Sequence, residues 1–397
     1  MDPERFRDSP TGRLMKVGRG DAVYWAFMPH PLPPDLALAP GLVRILSEAD
    51  RALGELAGLG RAMPNPHLLI APLLRREAVL SSRIEGTQAD IADLYAYEAG
   101  QPALPGLGPP PSETDVREVS NYVRALEYGL ERVETLPVSL RLIRELHGYL
   151  MERVRGAHAT PGEFRTRQNW IGPPESTLNT ARFVPPPVPE MREALGAFER
   201  YLHRGNDHPP LVRLAFIHYQ FEAIHPFVDG NGRIGRLLLS LLLINWGLIP
   251  LPLLYLSAYF ERHRQDYYDL LLTVSERGAW PEWLAFFLRG VAEQSRDTVV
   301  RAKRLQDLRE EWRQRLTQVR ASALPLQLAD SLFGSPIITI PQAQRILGVK
   351  QYRSAKLNVE KLVEADVLQS WGDASYGKTF IAGEILNVIE ESQVQDG

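Results

Sequence analysis

The chain has 397 residues, 44% of them hydrophobic and 23% charged, an ordinary composition for folded domains and a length for two or three of them. It contains no cysteine, which excludes disulfides, thiolate metal sites and cysteine nucleophiles. A formal net charge of -3 leaves no bulk field to recruit nucleic acid or an acidic membrane.

The first residues, Met1-Asp2-Pro3-Glu4-Arg5, are polar and lead into no apolar signal-peptide core. With the lack of cysteine, that favours a cytoplasmic setting. Residues 29–40 are a proline-rich lead-in, and 41–99 have helical periodicity with little β-branched content. Within them a helix is predicted over 73–97; it carries Ser81 and Glu85, four apart and so on one face, followed by Gly86. The segment 101–111 is too rich in proline and glycine to be anything but a linker. Ser112 caps the next helical stretch, which runs to about 154 with a break near Pro137.

Two short extended runs, 164–171 and 181–184, flank a Gly-Pro-Pro turn and predict a β-hairpin. Helices follow over 190–203 and 211–224, then a glycine-rich loop, then an apolar helix from Arg233. The run 237–256 approaches the roughly 20 apolar residues that span a bilayer. Gly247, Pro250 and Pro252 break its second half, so it reads as a buried core helix and the strand or loop after it, with no membrane partner. More helix is predicted over 258–278 and 281–320. Beyond 325 come three short helices (327–332, 341–347, 353–365) and two strands (367–371, 378–381) around a turn at 372–377, the layout of a winged helix.

The chemistry concentrates in residues 225–236. Gly230 and Gly232 let the backbone turn tightly and leave N–H groups unhindered at a helix start, where the dipole favours anions. Arg233 and Arg236, three apart, project from one face of the first turn and suit phosphate oxygens. Asp229 offers a carboxylate through which Mg²⁺ would join protein and nucleotide. His225 is the nearby group suited to take a proton from a hydroxyl near neutral pH. Each feature alone is common turn chemistry; their ordered conjunction in twelve residues is not.

The segment resembles the Fic-family signature, His-x-Phe-x-Asp/Glu-Gly-Asn-Gly-Arg-x-x-Arg, at every fixed position. The resemblance implies a mainly α fold: a Fic-type helical core with a β-hairpin flap, here followed by the small C-terminal winged-helix domain. It implies transfer of AMP from ATP to a Ser, Thr or Tyr hydroxyl of a target protein. By that analogy His225 is the general base and Asp229 the Mg²⁺ ligand. Gly230, Asn231 and Gly232 form the anion hole, Arg233 and Arg236 hold phosphates, Gly235 is grouped with the nucleotide-binding residues, and Phe227 anchors the loop. Doc-type phosphotransferases place a lysine where this chain has Gly232, which favours nucleotidyl over phosphoryl transfer.

Ser81, Glu85 and Gly86 resemble the family's inhibitory motif, in which the glutamate pairs with the second loop arginine, here Arg236, in the place of the γ-phosphate. The same glutamate is also compatible with removal of AMP. Residues 164–184 resemble the flap along which a target backbone docks. Tyr267 and Tyr268 match tyrosines that line the adenine pocket in relatives, whereas Ser275 stands where many have asparagine. His147, His158, His203, His208, His218 and His263 show no metal-site spacing.

The expected organisation is an N-terminal helical region with the inhibitory helix (1–111), a catalytic core (112–320) and the winged helix (325–397). Self-modification and a homodimer are open under this reading. The rival class is a DNA-binding regulator using 340–365 as helix-turn-helix. Residues 325–397 hold six lysines and arginines against nine acids, a balance that argues for weak DNA affinity and equally for a protein contact.

Overall fold

The chain is described by a computed structural model, which defines residues 1–20, 23–63, 66–100, 111–154, 160–204, 208–319, 322–371 and 378–390. The linker at 101–110, His158 and the turn at 372–377 lie outside these. The chain divides into two compact units. One comprises Met1–Gly54, Arg124–Leu248 and Leu256–Gln294; the other Glu55–Val123, Ile249–Tyr255 and Ser295–Gly397.

Fifteen α-helices account for most of the described residues, in order α1 (Pro40–Ala62), α2 (His67–Ile84), α3 (Ile91–Glu98), α4 (Glu113–Arg132), α5 (Leu140–Leu150), α6 (Val188–His203), α7 (Pro210–Ile224), α8 (Asn231–Asn245), α9 (Ser257–Arg262), α10 (Arg264–Arg277), α11 (Trp280–Gln318), α12 (Ala323–Leu332), α13 (Ile340–Leu347), α14 (Tyr352–Glu364) and α15 (Gly383–Glu390).

In the first unit the centre is α7, buried on nearly every side from Leu211 to Ile224. It packs against α6 and α8, and the Trp283 indole donates to the Ala215 carbonyl at 3.0 Å. The apolar run after Arg233 is the body of α8, buried through Leu243. The chain then turns at Gly247 (φ +68). Among the described residues no helix is long and apolar enough to cross a membrane.

A feature without a sequence prediction is the antiparallel hairpin of β1 (Gly12–Val17) and β2 (Tyr24–Pro29). Its inner side is sealed by Phe6, Phe27 and Phe183, whose ring centroids lie 5.6–6.1 Å apart. Gly12 is required there, because a Cβ would stand 2.4 Å from the Met28 carbonyl oxygen. The hairpin expected over 164–184 is reduced to one bridge, Ile171 with Phe183, through bonds of 2.8 and 3.1 Å. Its other polar groups are committed elsewhere: the Arg165 amide donates to the Pro226 carbonyl, and the Val184 carbonyl accepts from Phe27 of β2.

In the second unit the helix expected over 73–97 is two helices. α2 stops at Ile84, Glu85 caps it, Gly86 takes φ +100, and Asp90 begins α3 in a reciprocal capping box with Asp93. The C-terminal module matches the predicted order of three helices, α12, α13 and α14, and two strands, β4 (Gln369–Trp371) and β5 (Thr379–Ile381). A third strand, β3 (Ile337–Thr339), completes a sheet ordered β3-β5-β4, and α15 follows it.

Candidate active site

The loop between α7 and α8 begins where α7 ends. His225 is the C-cap of α7 with φ 48 and ψ 62, a left-handed conformation that turns the chain sharply. Its Nδ1 lies 3.3 Å from the Glu222 carbonyl oxygen. A carbonyl only accepts, so this contact puts the proton on Nδ1 and makes Nε2 the accepting nitrogen of the neutral ring.

Phe227 is fully buried and carries the loop's anchor. Its backbone is gripped twice by the Asn231 side chain, which accepts from the Phe227 amide at 2.8 Å and donates to its carbonyl at 2.9 Å. Asn231 thus closes the loop with its side chain, and only its backbone N–H remains for an anion. Gly230 is the N-cap of α8 at φ 77, a conformation costly for a residue with a Cβ. The first helical bond runs from the Ile234 amide to the Gly230 carbonyl at 3.0 Å. The amides of Asn231 and Gly232 therefore precede the helical ladder, where an anion is favoured.

Asp229 is more than half exposed; one oxygen accepts from the Gly230 amide at 2.6 Å and lies 3.6 Å from Arg233. Arg233 and Arg236 are 3% and 2% exposed, so both guanidinium groups belong to the interior and not to bulk water. Gly235 lies against α7: a Cβ there would approach Glu222, His218 and Phe221. That close approach to α7 is a packing reason for glycine at this position.

Three residues that sequence reasoning did not assign to the site hold the loop. His147 of α5 lies flat on Phe227, centroids 3.8 Å apart and planes within 7°. Its Nδ1 accepts from the Gly162 amide at 2.9 Å, so its Nε2–H donates to the Asp229 carbonyl at 3.1 Å. Burial lowers its pKa to about 4, keeping it neutral. Arg165, fully buried, donates to the carbonyls of His225 (3.0 Å), Arg167 (3.2 Å) and Pro186. Burial lowers its pKa to about 10, which still leaves it charged. Asn169 donates to the Phe227 carbonyl at 2.8 Å.

Residues 43–131 match the family described as Fic/DOC family N-terminal, and residues 137–243 the Fic/DOC family itself. These two regions belong to the Fic/DOC family. The protein adenylyltransferase Fic of Drosophila persimilis is 32% identical over 223 residues, covering 54% of this chain and 38% of that protein. Its Drosophila virilis counterpart is 33% identical over 223 residues, covering 54% and 40%. The chain thus spans about two fifths of the length of these curated relatives.

A Fic family protein from Desulfovibrio desulfuricans has the same fold with a TM-score of 0.55, at 22% identity over 88% of this chain and 98% of its own. A segment of Fic-1 from C. elegans reaches a TM-score of 0.50 at 22% identity, over 66% and 73%.

Outside the Fic loop the expected site residues are distributed as follows. Tyr267 is buried, its hydroxyl 2.8 Å from His218 Nε2, while Tyr268 is half-buried beside it with the Arg264 guanidinium 6.0 Å from its ring. His218 is held neutral, its pKa lowered to about 3 by burial and secondarily by the charge of Arg236. Ser275 is buried, 2.9 Å from the Tyr219 hydroxyl. Ser81 is buried in the last turn of α2, while Glu85 and Gly86 are exposed in the turn after it. Among the described residues no cluster of three or more His, Asp or Glu suits a metal.

Proposed function

We propose that this chain is a protein adenylyltransferase, moving AMP from ATP to a Ser, Thr or Tyr hydroxyl of a target protein. The observation that carries the reading is a histidine whose Nδ1 faces a backbone carbonyl, one loop away from a helix start whose first turn holds two buried arginines. The target oxygen attacks the α-phosphorus, the Nε2 of His225 takes its proton, and the bond to pyrophosphate breaks. Amides at the start of α8 and the guanidinium groups of Arg233 and Arg236 stabilise the phosphate charge. Exposed Asp229 suits Mg²⁺, a hard cation typically bound by one or two carboxylates together with substrate phosphates, which would neutralise charge on the leaving group.

In this reading 112–320 is the catalytic core, Tyr267 and Tyr268 belong to the adenine side, the target docks along 164–184, and the setting is cytoplasmic. The test is incubation with α-labelled and γ-labelled ATP, wild type beside His225→Ala, with label on the protein itself as the readout. Label from the α-position only, lost in the variant, supports AMP transfer. Label from the γ-position makes it a Doc-like phosphotransferase instead.

Ser81, Glu85 and Gly86 are assigned as the brake. Gly86 at φ 100 ends α2 and places Glu85 at its exit, a conformation that accounts for glycine in the motif. Glu85→Gly is expected to raise α-label incorporation at least tenfold. Unchanged incorporation removes the brake from the proposal and leaves the transferase reading standing.

A further inference from the structure

We propose that the exposed face of α13 and α14 is a docking surface for duplex DNA. The inference is independent of the transferase reading. Taken whole, residues 325–397 are acidic, but the structure sorts their charges by face. Asp330 of α12 pairs with Arg309 at 2.7 Å, and Glu384 of α15 pairs with Arg315 at 2.8 Å, both arginines belonging to α11. Glu390 sits in a cleft with Arg76 and Arg83 of α2. Asp330 and Glu384 are thereby paired within the fold.

The opposite charge collects on the helix pair. Arg345, Lys350, Arg353 and Lys356 are exposed, and Lys378 is exposed just before β5. Among the described residues Arg345, Lys350, Arg353 and Lys378 are in no ion pair, whereas Lys356 meets Glu360 at 3.6 Å and Lys361 meets Glu364. The cations therefore lie toward the start of α14 and the acids toward its end. That polarity places the positive end where a recognition helix meets bases and phosphates.

The local architecture suits that use. Four residues separate α13 from α14, and the first, Gly348, takes φ 64. The turn is fixed by the Val349 amide on the Gln344 carbonyl at 3.2 Å and the Gln344 side chain on the Lys350 carbonyl at 3.0 Å. Ala355, Val359 and Leu362 bury one side of α14. Arg353, Lys356, Leu357 and Glu360 recur along the other, with Tyr352 and Leu357 54% and 55% exposed. Apolar groups among cations can meet thymine methyls, which phosphate binding alone would not require. A helix roughly 20 Å long fits the major groove of B-form DNA, whereas the deep, narrow groove of A-form RNA excludes it.

The experiment is fluorescence anisotropy of the full chain with a labelled 20-base-pair DNA duplex from 25 to 200 mM salt, beside an RNA duplex of the same sequence. Expected is saturable DNA binding at low salt whose log–log salt slope is about -3, reflecting three to four phosphates. Lys350→Ala/Arg353→Ala/Lys356→Ala should weaken it at least tenfold with an unchanged circular dichroism spectrum. Arg353→Gln alone should reduce the slope by about one.

No binding at 25 mM salt overturns the proposal, as does equal affinity for RNA or a triple variant that binds like wild type. Self-association lost in Tyr352→Ser/Leu357→Ser, without DNA binding, would assign the face to a protein contact and also overturn it.

Discussion

His147 and His218 are both buried, His147 with both ring nitrogens committed to the Gly162 amide and the Asp229 carbonyl, His218 with its Nε2 against the Tyr267 hydroxyl. Burial lowers their pKa values to about 4 and about 3. The unfolded chain then binds protons more readily than the folded one between the free imidazole value and these. Their contribution to stability is complete above about pH 6.5 and is lost as pH falls toward 4. By pH 5 each should remove about 2 kcal/mol. Urea midpoints at pH 7.5 and 5.0 test this, and His147→Gln, which can still donate and accept, should lose about half as much between them. An equal loss in wild type and variant would refute the assignment to His147. The 225–236 loop was legible because its chemistry is contiguous. His147, Arg165 and Asn169 were not, since folding alone brings them to it, and a lone histidine on α5 carries no spacing that points 82 residues onward.

The pairing of α7 with α8 sets the distance across which the loop must reach, and Gly235 is where those helices meet. A Cβ there would stand 2.4 Å from a Glu222 carboxylate oxygen, 3.3 Å from His218 and 3.4 Å from Phe221. The glutamate can swing away, but the two rings are packed. Gly235→Ala should cost about 1–2 kcal/mol from overpacking and lower transfer as the loop shifts. A wild-type urea midpoint with unchanged slope would count against close packing at this point. Long amphipathic elements such as α4 and α6 could be read from periodicity, whereas the strands could not. β3 is three residues long with no polar alternation, and 164–171 has extended-chain grammar but gives its hydrogen bonds to the loop and to Pro185. The break between α2 and α3 was written in Gly86 and in the Asp90–Asp93 box; helical periodicity on both sides concealed it.

Within the second unit, α15 is held at its C-terminal end by one side chain. Arg301 of α11 is fully buried and donates to the carbonyls of Val388 and of Ile389 (3.0 Å), satisfying groups that a helix end leaves open. Its Nε donates to Asp297 at 2.7 Å, and Asp297 in turn lies 3.6 Å from Arg76 of α2. α15 also packs on α2 and α3. One buried carboxylate therefore links the end of the C-terminal module to the helix carrying Ser81. Arg301→Ala would leave buried carbonyls without a donor and Asp297 with a single, longer partner, a loss of about 3–5 kcal/mol. Hydrogen exchange in this variant should show α15 and the second half of α2 losing protection together, since both lean on the same charges. If α15 alone opens while α2 keeps its protection, the network is local, and the module exerts no hold on the segment that leads to Glu85.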